Sequence, residues 1–112
     1  MEEADNIIAI LSDEQSRDII NLLSKSELTT QQVSNLLSMP TSTAYRKLRK
    51  LEEFKIIKKT KVVRTLDGLD ESYYKSWTNA ITITFSDGKL SYNLEHAKIE
   101  DKIVRLWQKF SE

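Results

Sequence analysis

The chain of 112 residues contains no cysteine, one histidine, one proline and two glycines. Without cysteine it has no disulfide, no thiolate nucleophile and no cysteine-ligated zinc. No apolar run approaches the roughly 18 residues that a membrane-spanning helix requires. The acidic start MEEADN also lacks the basic region of a signal peptide. We therefore expect a soluble, cytoplasmic protein.

The common catalytic motifs are also missing. The sequence has no G-x-x-x-x-G-K loop, no G-x-G-x-x-G and no nucleophile with a nearby histidine. Adjacent acids such as Glu52-Glu53 point in different directions on a helix, so they do not form a general acid/base pair. A single histidine, His96, is more often a surface or capping residue than a metal ligand. We expect no enzyme activity, no cofactor and no metal site.

The formal net charge is zero, but the charges are unevenly distributed. Residues 41–65 hold nine Lys/Arg and two acids, a net charge of +7, whereas residues 1–40 carry −5 and residues 66–112 carry −2. A concentrated basic segment is typical of a polyanion binder, and a solvated charged face is the alternative. The pI of about 6.6 is low for a nucleic-acid-binding domain, so any such contact should be local and oriented.

Helical periodicity and capping residues predict the first elements. Residues 2–11 have apolar side chains at helical spacing. Ser12 with Gln15, and Thr29 with Gln32, match capping boxes that would begin helices at about 12–25 and from 30 onward. Pro40 disfavours continuation of the helix that begins at residue 30. The side chains expected to face the core are Ile19, Ile20, Leu22, Leu23, Val33, Leu36 and Leu37.

Residues 41–54 form the next predicted helix, with Ala44, Leu48 and Leu51 on its buried face. Two short helices joined by a turn of about three or four residues, the second with a cationic face, have the layout of a helix-turn-helix. The second helix would then enter the DNA major groove, with Arg46 reading guanine and Lys47 mainly structural. The side chains expected to contact double-stranded DNA are Ser42, Thr43, Tyr45, Arg46, Arg49 and Lys50. The alternative role for Tyr45 is packing on the preceding helix.

Residues 11–66 resemble the N-terminal half of winged-helix regulators related to the ArsR group, especially small archaeal-type members. The matching stretches are Leu11-Ser12-Asp13, Leu28-Thr29, and PTSTAYRKL at 40–48 leading into Leu51-Glu52-Glu53. The resemblance implies an α+β winged helix-turn-helix in one domain, with a three-helix core within about 12–94, a β-hairpin wing, and N- and C-terminal helices. It also implies a sequence-specific DNA-binding transcriptional regulator, associated with the nucleoid.

The position before the wing departs from the family pattern. The family usually has a small residue and a glycine there, whereas this chain has Phe54-Lys55. Glycine would cap the helix in a left-handed conformation at low cost. Lys55 must therefore adopt that conformation under strain, or the helix must end differently.

Two hairpins are predicted after Lys55. The first, at 56–77, turns at Asp67-Gly68 and is the expected wing. Acids near its tip would repel phosphate, so its DNA contacts should come from Arg64 and from Lys58 or Lys59. The second hairpin alternates apolar and polar residues around Asp87-Gly88 and is expected to extend the sheet.

The predicted terminal helices, at 2–11 and 96–110, have apolar stripes that require burial. Packing within the chain is one possibility. The resemblance favours the other, a two-fold homodimer. The residues expected at that interface are Ile7, Ile8, Leu11, Ile99, Ile103, Leu106, Trp107 and Phe110.

Two other functions fit the sequence less well. A protein-interaction module is favoured by the neutral total charge, the acidic wing tip and the exposed-looking Tyr73 and Trp77. An RNA-binding or architectural DNA-binding role is disfavoured, because the chain lacks a basic background and stacking aromatics among its cations.

Overall fold

A computed structural model describes residues 3–97. In that range the element order is α1 (Glu3–Ser12), α2 (Glu14–Lys25), β1 (Leu28–Thr29), α3 (Thr30–Leu36), α4 (Thr41–Glu53), β2 (Ile57–Arg64), β3 (Asp70–Ser76), β4 (Thr78–Ser86) and β5 (Lys89–His96). Residues 98–110 of the helix predicted at 96–110, with the five interface residues from Ile99 to Phe110, lie outside the described residues. The expected first residue of that helix, His96, is instead the last residue of β5.

The boundary between α1 and α2 differs from the predicted capping box. Ser12 is the last residue of α1, and its Oγ donates a hydrogen bond to the Ala9 carbonyl. Asp13 is the N-cap of α2, because its carboxylate accepts hydrogen bonds from the Ser16 backbone N–H at 3.2 Å and from the Ser16 hydroxyl at 2.7 Å. The prediction was wrong by one residue because Asp13 caps as well as serine does.

The second capping box is confirmed. Thr29 Oγ1 accepts from the Gln32 N–H, and Gln32 Oε1 accepts from the Thr29 N–H. At the other end of α3, Ser38 has a φ of 53°, and the Met39 N–H reaches back to the Ser34 carbonyl. This left-handed residue turns the chain so that α4 starts directly after Pro40.

One apolar core joins the helices to the sheet. Its fully buried members include Ile7, Ile19, Leu23, Leu48 and Leu51. Ile20 and Leu22 lie at its edge, half-buried. Leu36 was expected to face this core, but it is 60% exposed. The core contacts of this segment come instead from the buried Val33 and the half-buried Leu37, four residues apart on one face.

The predicted wing is confirmed as the β2–β3 hairpin, which belongs to a three-stranded antiparallel sheet of order β1-β3-β2. Leu28 pairs with Tyr74 and Thr29 with Tyr73, so β1 ties the base of the wing to the start of α3. The register shifts between Lys59 and Lys61, leaving Thr60 as an extra residue in β2. Such a bulge reverses which side chains face each side of the strand beyond it.

The second predicted hairpin forms a separate two-stranded sheet, β4–β5, and does not extend the first one. Asp87 and Gly88 both have positive φ values, 55° and 75°, which is the geometry of a type I′ turn. Its base packs on the core, and the Tyr92 hydroxyl donates a 2.6 Å hydrogen bond to Glu3 of α1. This bond raises the pKa of Tyr92 above its usual value.

Ile7 was expected at a dimer interface, but its side chain is fully buried in this chain. It therefore belongs to the monomer core. Ile8 is 38% exposed and Leu11 is half-buried, so these are the two predicted interface residues of α1 that reach its surface. No helix within residues 3–97 is long and apolar enough to cross a membrane.

Candidate nucleic-acid interface

The exposed face of α4 has the composition expected from the sequence. Ala44, Leu48 and Leu51 are buried, and Ser42, Arg46, Arg49 and Lys50 are exposed on the opposite side, with Thr43 half-buried at the flank. Within residues 3–97, neither Arg46 nor Arg49 contacts a carboxylate. The positive charges of this face are therefore not neutralised by the described part of the chain.

Tyr45 and Arg49 form a pair one helical turn apart. The Arg49 guanidinium lies 5.8 Å from the centroid of the Tyr45 ring, and its Nη1 is 3.5 Å from the Tyr45 hydroxyl. Tyr45 is 50% exposed, so this ring stays at the surface and orients Arg49. Such a cation–π contact contributes about 0.5–1 kcal/mol at an exposed site.

Lys47 has the structural role expected for it. Its side chain is only 15% exposed and forms an ion pair with Asp13, the N-cap of α2. The hydrogen bond from Lys47, with a further one from Ser16, holds the pKa of Asp13 below its usual value. This contact joins the start of α2 to the inner flank of α4.

The start of α4 has polar neighbours that sequence reasoning missed. The Thr41 hydroxyl lies 3.4 Å from Gln31 Oε1 on α3 and 3.3 Å from the Ser34 hydroxyl. Pro40, the N-cap, provides no capping side chain. Thr41 and Gln31 therefore form a polar edge that joins the first turns of both helices. The capping box at Thr29 places Gln31 in the first turn of α3. This was the sequence signal that could have indicated a polar residue near the start of α4.

The end of α4 shows how the chain manages without glycine. Lys55 has a φ of 62°, the Lys55 N–H bonds to the Glu52 carbonyl, and the Ile56 N–H bonds to the Leu51 carbonyl at 2.9 Å. These two bonds define a Schellman cap, and the buried Ile56 and Leu51 provide its apolar contact. Of the two predicted outcomes, Lys55 adopts the left-handed conformation.

The wing register separates the predicted basic residues of β2. Lys59 pairs with Tyr74 and Arg64 with Asp70, whereas Lys58 pairs with Lys75. Paired residues share one face of a sheet. Lys59 and Arg64 therefore lie on the same face as the buried Tyr74, which is the face toward the helices. Lys58 lies on the other face, with its Nζ 5.0 Å from the centroid of the Trp77 ring.

The remaining charges at the wing are partly paired. Arg64 Nε is 3.4 Å from Asp70 Oδ1 in an exposed ion pair, so a phosphate would compete with that carboxylate. Lys61, on the outer face, is 3.7 Å from Glu27 and 4.7 Å from the Tyr73 ring centroid. A hydrogen bond from Thr60, together with the nearby lysines, lowers the pKa of Glu27.

Tyr73 and Trp77 were expected to be exposed, but both are half-buried. Trp77 stacks on His96 with ring centroids 3.8 Å apart and planes 5° apart. His96 is thus part of an aromatic contact at the base of the second hairpin. Among residues 3–97, no group of three or more His, Asp or Glu side chains is placed to hold a metal ion.

A helix-turn-helix followed by a β-hairpin wing, with a polar and cationic second helix, defines a winged helix-turn-helix protein. Residues 13–59, from the N-cap of α2 to the first part of β2, match the family model described as "Bacterial regulatory protein, arsR family". The matched segment contains the whole helix-turn-helix, including Arg46, Arg49 and Lys50.

Two solved structures are similar to this chain. NolR from Sinorhizobium fredii is 18% identical, with a TM-score of 0.54 over 68% of this chain and 70% of that chain. HlyU from Vibrio cholerae N16961 is 15% identical, with a TM-score of 0.48 over 97% of this chain and 92% of that chain. No curated protein sequence matches the chain.

Proposed function

We propose that the chain is a sequence-specific, DNA-binding transcriptional regulator that uses α4 as its recognition helix. The observation that supports this most directly is the contrast within α4. Lys47, on the inner flank, is ion-paired with Asp13, whereas Arg46, Arg49 and Lys50 on the exposed face contact no carboxylate of residues 3–97. Unneutralised cations on a helix held firmly by its apolar face are suited to a polyanion with a groove.

The roles of individual residues follow from their positions. Arg46 points from the centre of the exposed face, and its planar fork can pair with O6 and N7 of guanine. Arg49, oriented by Tyr45, and Lys50 would hold phosphates, as would Ser42 and Thr43 in the first turn. From the wing, Lys59 and Arg64 lie on the face directed toward the helices, and we assign the flanking phosphate contacts to them.

We further propose that the protein acts as a homodimer. The exposed Ile8 and the half-buried Leu11 of α1 would contribute to that interface together with the apolar stripe predicted in 96–110. A two-fold dimer would place two copies of α4 about 34 Å apart, so that they meet successive major grooves. Sedimentation measures the stoichiometry, and a palindromic selected site with half-sites about one helical turn apart is the expected result.

The experiment begins with selection of a binding site from a random DNA pool. On the selected site, Arg46→Ala should cost roughly 1–3 kcal/mol and relax specificity at one position, whereas Lys50→Ala should weaken all sequences equally and lower the salt slope by about one. Lys89→Ala is the matched control, since Lys89 is an exposed cation on the second hairpin and should have no effect. The proposal fails if no sequence is enriched, or if binding is unchanged by both α4 substitutions.

A protein-docking role is the second candidate. The turn between β2 and β3 exposes Leu66 fully and Leu69 to a large extent, beside the acidic Asp67 and Asp70. An apolar and acidic tip is suited to a protein surface better than to phosphate. Reversal of Arg46 and Arg49 to Glu distinguishes the two functions. If the protein is a DNA regulator, the reversed variant no longer binds DNA. If it is a docking module, neither the parent nor the variant shifts DNA, and the variant still retains its protein partner in a pull-down.

A further inference from the structure

We propose that the base of the second hairpin positions the wing. In this role Trp77 and His96 hydrogen-bond to the carbonyl oxygen of Lys55. These two bonds would fix the direction in which β2 leaves the recognition helix. The consequence for DNA binding rests on the proposed function. The positioning itself can be measured without DNA.

The contact consists of two donors on one acceptor. Trp77 Nε1 donates a 3.1 Å hydrogen bond to the Lys55 carbonyl, and His96 Nε2 lies 3.0 Å from the same oxygen. The two rings are stacked almost parallel, which keeps both nitrogens directed at that carbonyl. The imidazole must therefore carry its proton on Nε2 to donate.

The neighbouring peptide is held by the same hairpin. The Thr78 hydroxyl donates a 2.7 Å hydrogen bond to the Ile56 carbonyl, and the Ala97 N–H donates to the Trp77 carbonyl. The residues at the start of β4 and at the end of β5 thus hold Lys55 and Ile56, two of the three residues (54–56) that connect α4 to β2. The linker is short enough that two fixed carbonyls leave it little freedom.

The connection between α4 and β2, here called the hinge, contains Lys55. It requires the support of the second hairpin because Lys55 is not glycine. A residue with a Cβ is disfavoured at a φ of 62°, and relaxation of Lys55 to a negative φ would change the direction of the wing. The β1–β3 pairing restrains the wing only at Tyr73 and Tyr74 of β3. On the β2 side Ile57 is buried in the core and Lys61 is paired with Glu27. The second hairpin adds a restraint where the chain enters β2, together with the contact of Lys58 with the Trp77 ring.

The first test measures the hinge directly. Because the chain has no cysteine, Glu53→Cys on α4 and Asp67→Cys at the wing turn introduce two unique sites for spin labels. A narrow distance distribution is expected. Adding Trp77→Phe and His96→Phe keeps two stacked rings but removes both donors, and the distribution should broaden or shift. An unchanged distribution overturns the proposal.

The second test asks whether the wing still reaches DNA. On the selected site, Lys59→Ala should lower the salt slope by about one in the parent protein and have little further effect in the Trp77→Phe, His96→Phe background. Arg46→Ala, on the recognition helix, should have its full effect in both. If Lys59→Ala has equal effects in both backgrounds, the hairpin does not position the wing.

The two tests distinguish failure of the proposed DNA binding from failure of the proposed positioning of the wing. If the parent protein binds no DNA, the proposed function fails, and the spin-label distances still decide the positioning. If the double variant does not fold, as judged by circular dichroism, the single His96→Phe variant is used in both tests. It removes one donor and keeps the Trp77 bond, so a smaller broadening is expected, and no broadening counts against the proposal.

Discussion

Replacing Lys55 with glycine should stabilise the protein. Lys55 has a φ of 62°, its side chain is exposed, and no described residue forms an ion pair with it. Relief of the left-handed conformation is worth about 1–2 kcal/mol, and the greater freedom of glycine in the unfolded chain offsets about 0.4–1 kcal/mol. The net gain expected in the free energy of unfolding is about 1 kcal/mol.

The local hydrogen bonds support this estimate, because they involve only backbone atoms of residue 55. Its N–H bonds to Glu52, and its carbonyl accepts from Trp77 and His96. Glycine can keep all three. A gain of 1 kcal/mol corresponds to a rise in Tm of roughly 4 °C for a domain of about 100 residues.

The assay is urea unfolding at a fixed protein concentration, since the stability of the proposed dimer would depend on concentration. The midpoint should rise with an unchanged m-value. Lys55→Ala, which keeps the Cβ, should remain close to the parent. Ser38→Gly provides a second site of the same kind, with a φ of 53°. The reasoning is refuted if Lys55→Gly is neutral or destabilising, or if alanine stabilises as much as glycine.

Two further predictions concern helix caps. Asp13→Asn keeps the N-cap of α2 but removes the charge paired with Lys47, so we expect a loss of about 0.5–1 kcal/mol at neutral pH. Because the folded pKa of Asp13 is lowered from 3.8, its stabilising effect is complete above that value and is lost as pH falls through the folded pKa. If urea unfolding shows that the variant's loss of stability relative to the parent stays constant in acid, this reasoning is contradicted. Thr29→Ala should cost about 1 kcal/mol through loss of the capping box, and Thr29→Ser, which keeps the hydroxyl, should cost less; equal losses would argue against the cap.

Much of the helical part could be predicted from the sequence, because the signals are local. Ala44, Leu48 and Leu51 recur with the helical period, and that spacing alone fixes which face of α4 is buried. The capping pair Thr29 and Gln32 lies within one turn and needs no other contact. The same locality explains the error at Ser12, since Asp13 beside it has an equally good capping side chain and only the packing of α1 decides between them.

The sheet region depended on contacts that are distant in the sequence. The bulge at Thr60 places Arg64 on the same face of the sheet as Lys59, and it is defined by the pairing of β2 with β3. Ile7 was predicted as an interface residue, but its burial depends on what packs against α1. The two donors on the Lys55 carbonyl come from residues 22 and 41 positions away, and no pattern in the sequence links them.

The sequence by itself determined the helix α4, its cationic face and the absence of glycine at its end, because these properties reside in neighbouring residues. Only the tertiary structure decided how that end is supported. Trp77 and His96 meet at Lys55 because the strands of the second hairpin bring them together, and the hydrogen bonds that result depend on position in space rather than on order along the chain.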